Sequence, residues 1–462
     1  MTDLSSATVA PAERAGLRAR SLSRSASLAV DIAIASGVAL VLGLIRLGAP
    51  SLWFDEAYTA EATGRSPAWW LANDQYHFLY DGLLAAWASV AGTSEWALRA
   101  PSVLGAMIAA GLVVVLGRRF FDRWVALAGG VFLAASPFVV KWSQQARSYT
   151  LLLALSLVAT LVLLRALDRG TRSSWALYGV AYAAVVVGHA VAGILLAPAH
   201  LVLIAQRRER VLPHGPLAAV IVVAIAVPWA ATVAMRSTGQ GAGMAWLQPP
   251  SPTVVAQAVA DVSGAAGLGI ALAVLGLVLL WSAGRRDLVV WLGAWASVPF
   301  ALALVMTAVT PVFLDRYLIV AAPAFALLAG VAIVGVGRRL GPVLAAAAVA
   351  VSAIALVQWY STPDDGNWRG EDWRSALTAL RAESGGDEVV VAPWWAHLGA
   401  AYYGAAPISA ATADSVWILT WSETGHRLPR AERLPLGLGS HELVERQDFG
   451  RRVSLQQWVR RE

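Results

Sequence analysis

About eleven times along the chain, apolar residues run for roughly the length that crosses a bilayer as a helix. The runs fall near 28–47, 98–117, 123–140, 149–168, 173–188, 190–206, 215–233, 256–281, 287–309, 314–337 and 341–360. Composition agrees: of 462 residues 58% are hydrophobic and 14% charged, against roughly 25% charged in an average soluble domain. A string of soluble domains is therefore excluded, and a polytopic membrane chain is expected. Pro228, Pro299 and Pro323 fall inside the runs, where neighbouring helices can satisfy the freed carbonyls. The chain has no cysteine, which excludes disulfides, thiolate metal sites and cysteine nucleophiles.

Orientation follows from arginine. The net charge of +6 is carried almost wholly by this residue. Arg118, Arg119 and Arg123; Arg165, Arg169 and Arg172; Arg207, Arg208 and Arg210; Arg285 and Arg286; and Arg338 and Arg339 occupy alternate loops. The positive-inside rule makes those loops cytoplasmic. The N-terminus is then cytoplasmic, with residues 1–27 as a disordered tail and 28–47 as a retained first span rather than a cleaved signal. The opposite set of loops carries the remaining polar chemistry and faces outward. The expected setting is a multi-pass protein of the plasma membrane.

The first outer loop, 48–97, holds short stretches suited to interfacial helices, such as Ala68-Trp-Trp-Leu-Ala72. The 234–255 loop, rich in Gly, Pro and Gln, is long enough to be a lid. Beyond the turn-rich Ser361–Asn367 linker, 372–383 has helical amphipathicity and 388–392 and 415–420 read as buried strands. A helix is expected at 396–403. The domains are thus a tail (1–27), a transmembrane catalytic domain (28–360) and a small extracytoplasmic α/β domain (361–462).

The candidate chemistry gathers at the outer face. Asp55 and Glu56 lie just past the first span, beside Trp53, Phe54 and Tyr58. A carboxylate near hydrocarbon is costly and needs a reason; Asp55 is suited to a general base, and the structural alternative is a helix cap or interfacial acid pair. Asp74, His77 and Tyr80 follow in the same loop. Glu56, His77 and His189 are the candidate ligands for a divalent cation, a weak set without regular spacing. In the 141–149 loop, Lys141, Gln145, Arg147 and Tyr149 stand where the anionic part of a lipid would lie, and arginine is a natural phosphate partner. Arg316 and Tyr317 open a span at the same face. No phosphate-binding G-x-x-x-x-G-K-[ST] loop and no line of charges along the spans is present. That distribution suits an enzyme acting on a lipid-borne substrate.

Several segments together resemble a known family. They are Leu52-Trp-Phe-Asp-Glu-Ala-Tyr58, Asp74-Gln-Tyr-His-Phe-Leu-Tyr80, Ser94-Glu-Trp-Ala-Leu-Arg-Ala-Pro-Ser102, Gln144-Gln-Ala-Arg-Ser-Tyr149, Arg316-Tyr-Leu318 and Asp372-Trp-Arg374. In this order and topology the chain resembles the bacterial family 39-like glycosyltransferases. These are GT-C membrane enzymes related to protein O-mannosyltransferases and to the aminoarabinose transferase of lipid A. The resemblance implies an all-α membrane domain, a polyprenyl-phosphate sugar as donor and an inverting transfer to an acceptor outside the membrane. It implies Asp55 as the catalytic aspartate, Glu56 as its acidic neighbour, and Arg147 and Arg316 as basic groups toward the lipid phosphate. At His77-Phe-Leu-Tyr-Asp81 the chain departs from the His-Pro-Pro-Leu-Tyr-Tyr of many relatives.

The reaction expected is transfer of a hexose, with mannose as the working choice, to a lipid, glycan or protein acceptor of the cell envelope. Asp55 takes the acceptor proton and the arginines neutralise the departing phosphate; a metal is optional. The alternatives are a flippase for lipid-linked sugars and a non-catalytic membrane scaffold that binds glycan. Nucleic acid is not an expected partner.

Overall fold

The structure, a computed structural model, describes residues 11–73, 77–211, 214–239, 249–309, 311–361, 370–384, 388–393, 396–405, 414–422 and 441–461. In chain order the helices are α1 (Pro11–Leu44), α2 (Phe54–Thr63), α3 (Pro67–Asn73), α4 (Phe78–Ala91), α5 (Glu95–Phe120), α6 (Arg123–Ala134), α7 (Pro137–Ser143), α8 (Tyr149–Arg169), α9 (Arg172–Gly188) and α10 (Ala190–Gln206). They continue with α11 (Gly215–Gly239), α12 (Pro252–Ser263), α13 (Leu268–Ser282), α14 (Arg286–Thr307), α15 (Ala322–Gly335), α16 (Gly337–Tyr360), α17 (Trp373–Glu383) and α18 (His397–Tyr402). The C-terminal part adds strands β1 (Glu388–Ala392), β2 (Ser415–Trp421), β3 (His441–Phe449) and β4 (Val453–Arg460).

Every apolar run of the sequence is helical, but the runs do not all make one uniform span. Among the described residues, seven helices are long and apolar enough to cross a membrane, eight if α6 and α7 count as one bent span. The expected number was about eleven. The difference lies in α9, α10 and α11, whose apolar stretches are shorter, and in α6–α7, which bend by 55°. The bend falls where Pro137 opens α7 and cannot donate a backbone hydrogen bond. The 256–281 run is also broken: Gly264 and Gly267 take φ of +83° and +95° between α12 and α13, a conformation that glycine adopts without strain. At the N-terminus α1 begins at Pro11, so residues 11–27, expected as a disordered tail, are helical.

Helix α15 is the hub. Its span is 83% buried, packed on α6 and α13. The approach is close because Gly330 faces α6: a Cβ there would lie 2.4 Å from the carbonyl oxygen of Val125. Small residues let helix backbones come together where hydrocarbon gives no driving force between them.

At the end of the bundle where α1 and α16 finish, the connecting segments fold over one another. They are joined there by the C-terminal unit, a four-stranded sheet of order β1-β2-β4-β3. β1 and β2 are parallel and the other pairs antiparallel. Trp373, Leu377 and Leu380 of α17 pack with Trp417, Leu419 and Leu455 on one face, and Val390, Val416, Ile418 and Trp458 cluster together. The helix at 372–383 and the strands at 388–392 and 415–420 stand where the apolar patterning put them.

Candidate active site

Five segments converge at that end of the bundle: the start of α2, the start of α4, the α7–α8 turn, the α9–α10 turn and the stretch around Arg316. Asp55 lies in the first turn of α2. Its Oδ2 is 3.9 Å from Nη2 of Arg147 and 4.0 Å from Nη2 of Arg316. The Asp55 side chain is 23% exposed and the two arginine side chains 8% and 7%. These separations exceed a direct hydrogen bond. A carboxylate reachable from outside thus stands between two buried cations without closing on either.

Arg147 is fixed from several sides. Its Nη1 donates to the backbone oxygen of Asp55 at 3.2 Å and to Oγ1 of Thr59 at 3.0 Å. Its Nη2 meets Nε2 of His77. A guanidinium only donates, so Nε2 accepts and the imidazole proton sits on Nδ1, which donates to Oγ of Ser148 at 2.8 Å. Burial, then the charge of Arg147, holds the His77 pKa well below its usual value, so the ring is neutral near pH 7.

Arg316 lies over aromatic faces, its guanidinium carbon 5.8 Å from the Trp142 ring centroid and 5.9 Å from those of Tyr149 and Tyr317. Such faces attract a cation while leaving its N–H groups free to donate elsewhere. His189 stacks near Tyr317, with ring centroids 4.3 Å apart, and Nδ1 accepts from the backbone of Ala192 at 3.4 Å. Burial, then Arg316, lowers the His189 pKa to about 3. Nε of Arg316 and Nε2 of His189 are buried with no hydrogen-bond partner among the described residues. Buried donors are seldom left so, and the arrangement suits an anion with several acceptor oxygens.

Other expected site residues stand elsewhere. Glu56 corrects the reading of the acid pair: it is fully buried and turned away from Asp55 into the bundle. It takes Nε and Nη2 of Arg99, both at 2.7 Å, and the backbone N–H of Ala146 at 2.8 Å. A carboxylate so occupied is a structural anchor, neither a substrate contact nor a metal ligand. The trio Glu56, His77 and His189 therefore does not form a cation site. Among the described residues no three His, Asp or Glu side chains are grouped to hold a metal.

Tyr80 is buried against Oγ of Ser102 at 3.0 Å, behind Arg147 rather than beside Asp55. Gln145 lines a small separate cavity of about 30 Å³ with Arg46, Arg99 and Gln144. Lys141 stands 3.8 Å from Asp315, at the edge of the cluster. Tyr149, 1% exposed, packs among Trp142, His77 and Tyr317. Asp74 lies outside the described residues.

Sequence reasoning missed Arg99, Thr59 and Ser148. Arg99 carried a signal, an arginine just inside an apolar run, where an ionisable group implies a partner. Thr59 carried a weaker one, four residues after Asp55 and so on the same side of the helix.

Residues 78–231 match the family model for dolichyl-phosphate-mannose-protein mannosyltransferases. The structure is similar to ArnT from Cupriavidus metallidurans in the apo state, with a TM-score of 0.61 and 16% identity over 92% of this chain and 97% of that one. It is also similar to the same protein bound to undecaprenyl phosphate, with a TM-score of 0.60, 17% identity and the same coverage. The oligosaccharyltransferase of Archaeoglobus fulgidus superposes with a TM-score of 0.51 and 14% identity, over 81% of this chain and 64% of that one. No curated protein has significant similarity in sequence. The chain has the GT-C fold of the ArnT structures.

Proposed function

We propose that this protein transfers a sugar from a polyprenyl-phosphate carrier to a hydroxyl-bearing acceptor, with Asp55 as general base. The single observation that carries the reading is the Arg147–Asp55–Arg316 constellation, a partly exposed carboxylate between two buried guanidinium groups. A polyprenyl-phosphate sugar has a phosphate leaving group, and both arginines are suited to its oxygens. The unpartnered N–H groups of Arg316 and His189 add donors for the same anion. A preorganised donor at a developing anion is worth about 3 kcal/mol when removed singly.

The acceptor hydroxyl gives its proton to Asp55 while its oxygen bonds to the anomeric carbon. The bond from that carbon to the phosphate oxygen breaks, and the polyprenyl phosphate leaves with the electron pair. Attack opposite the leaving group inverts the anomeric centre, as in the base-assisted half of an inverting hydrolase. No acid is needed for a phosphate leaving group. Tyr149, Tyr317, Lys141 and His77 shape and charge the surroundings, and Asp74 remains in the proposed substrate set. The undecaprenyl phosphate bound by ArnT is a carrier of the class proposed here. The alternating arginine loops support a site on the extracytoplasmic face of the plasma membrane. A hexose, with mannose tried first, is the proposed sugar.

The test is to incubate the purified protein with a panel of polyprenyl-phosphate sugars and a hydroxyl acceptor mixture, reading released lipid phosphate and product by mass spectrometry. The reading expects stoichiometric lipid phosphate and one inverted glycosidic bond. Movement of intact lipid-linked sugar across vesicles without a new bond would replace it with the flippase reading.

A further inference from the structure

The chain entering α2 is held largely by side chains, Arg99 of α5 taking the carbonyls of Leu47, Pro50 and Ser51 and the C-terminal unit supplying further partners. The first N–H groups of any helix lack intrahelical partners. Trp53, in the cap position of α2, has only a donor in its side chain and cannot accept from them. The Phe54 N–H instead donates to Oε2 of Glu371 at 2.9 Å, from a residue 317 positions away. The Leu52 N–H donates to Oη of Tyr403 at 2.8 Å, 351 positions away. Between them, the Trp53 N–H reaches Oε2 of Glu56 at 3.4 Å.

The carbonyls upstream are taken too. Arg374 donates to the oxygens of Ala49 at 2.9 Å and Gly48 at 3.3 Å, and to Glu95 at 2.6 Å. Glu371 is itself buried, 1% exposed, and accepts from Nε1 of Trp373 at 3.1 Å. Tyr403 donates onward to Glu95 at 3.1 Å. These contacts tie the segment directly before Asp55 to α17, α18 and the start of α5.

We propose that Glu371 and Tyr403 are positioning residues of the active site, holding Leu52–Phe54 and so setting the angle at which α2 presents Asp55. The inference rests on the base role of Asp55 proposed above. It gives the C-terminal unit a part in the reaction, as the outer half of a clamp on the catalytic helix. Arg147 also grips α2 at the Asp55 carbonyl and Thr59, but it and Arg316 are rooted in other segments, so loosening the Leu52–Phe54 clamp tilts the base relative to a donor that stays bound. A displacement of about 1 Å at a reacting group can cost on the order of 100-fold in rate.

The full-length protein carrying Glu371→Ala, Glu371→Gln or Tyr403→Phe tests this. Steady-state kinetics with the accepted polyprenyl-phosphate sugar is paired with hydrogen exchange of the 48–63 peptide. Glu371→Ala should lower kcat about 10–100-fold with donor KM within about threefold. Glu371→Gln should recover most of the loss, because its amide oxygen still accepts from Phe54. Tyr403→Phe should lower kcat by about threefold to tenfold, and both it and Glu371→Ala should speed exchange at Leu52–Phe54. An unchanged kcat, unchanged exchange, or a joint fall of kcat, donor affinity and thermal stability that Gln does not rescue would overturn the proposal. Should Glu371→Ala fail to fold, Tyr403→Phe decides by the same two readouts. Turnover that survives Asp55→Asn defeats the base role itself, whereas the exchange data report on the clamp whatever that outcome.

Discussion

Among the described residues Asp31, Asp55 and Asp168 each face two arginines, and the last two stand at opposite ends of the bundle. Asp168, at the end of α8, is in contact with Arg119 and lies 3.1 Å from Arg207. Its side chain is 40% exposed and those arginines 36% and 37%. Asp55 has the same neighbours in kind, yet its arginines are almost fully buried and stand near 4 Å. The first trio is a closed surface ion pair network, screened by water and salt. The second is held open by bonds that the arginines make elsewhere: Arg147 to Thr59 and His77, Arg316 over three rings. Residue type is equal in the two places; what differs is burial and whether the charges have already satisfied one another. A site able to receive a new anion needs cations that are fixed but not fully paired.

The comparison can be broken first through the anchor under the site. Arg99 and Glu56 form a buried pair, 2% and 0% exposed. Arg99→Met should cost about 3–5 kcal/mol of stability, since it leaves a buried carboxylate unpaired; thermal unfolding in detergent reads it. A loss below about 1 kcal/mol would mean that the pair is no more than a surface bridge.

Next come the arginines themselves. Arg147→Ala and Arg316→Ala should each lower kcat/KM about 100–1,000-fold, with Arg147→Ala the larger because it also releases α2 at Asp55 and Thr59. Arg207→Ala at the other end should stay within about twofold in turnover and within about 1 kcal/mol in stability. Equal losses at both ends, measured side by side, would remove the distinction drawn between the trios.

The smallest expected effect is on pH. His77 and His189 have lowered pKa values in the fold, whereas the unfolded chain takes up protons as pH falls through about 6.5. Stability is therefore fully present above that pH and declines below it, until the folded site also protonates. The slope is at most about 1.4 kcal/mol per pH unit for each histidine. His77→Gln should flatten the melting curve between pH 6.5 and 5, and an unchanged slope would contradict the neutral ring inferred from its bond to Arg147.

Much of this was legible in the sequence because apolar periodicity reports burial directly. The helices of the membrane part, the amphipathic α17 and the β-branched runs of β1 and β2 all stand where that pattern put them. β3 and β4 were not read, since His441–Phe449 is mostly polar and Val453–Arg460 carries Gln456 on a buried position with Gln457 beside it. Asp55, Arg147 and Arg316 were readable as charges at one face of the membrane. The misreading of Glu56 has a simple cause. Adjacent residues on a helix point about 100° apart, so neighbouring acids face different surroundings. Which of them faces Arg147 and Arg316 is decided by Arg99, 43 positions on from Glu56, and no local pattern reveals that. Glu371 and Tyr403 were invisible for the same reason, more than 300 positions from the backbone groups that they hold.

The central claim is that Asp55 removes the acceptor proton beside a lipid phosphate held by two arginines. Single-turnover reaction of purified Asp55→Asn protein with a radiolabelled polyprenyl-phosphate sugar tests it most directly. The account predicts donor binding close to wild type and sugar transfer slowed by about 100–10,000-fold. Transfer at the wild-type rate by that variant would contradict it.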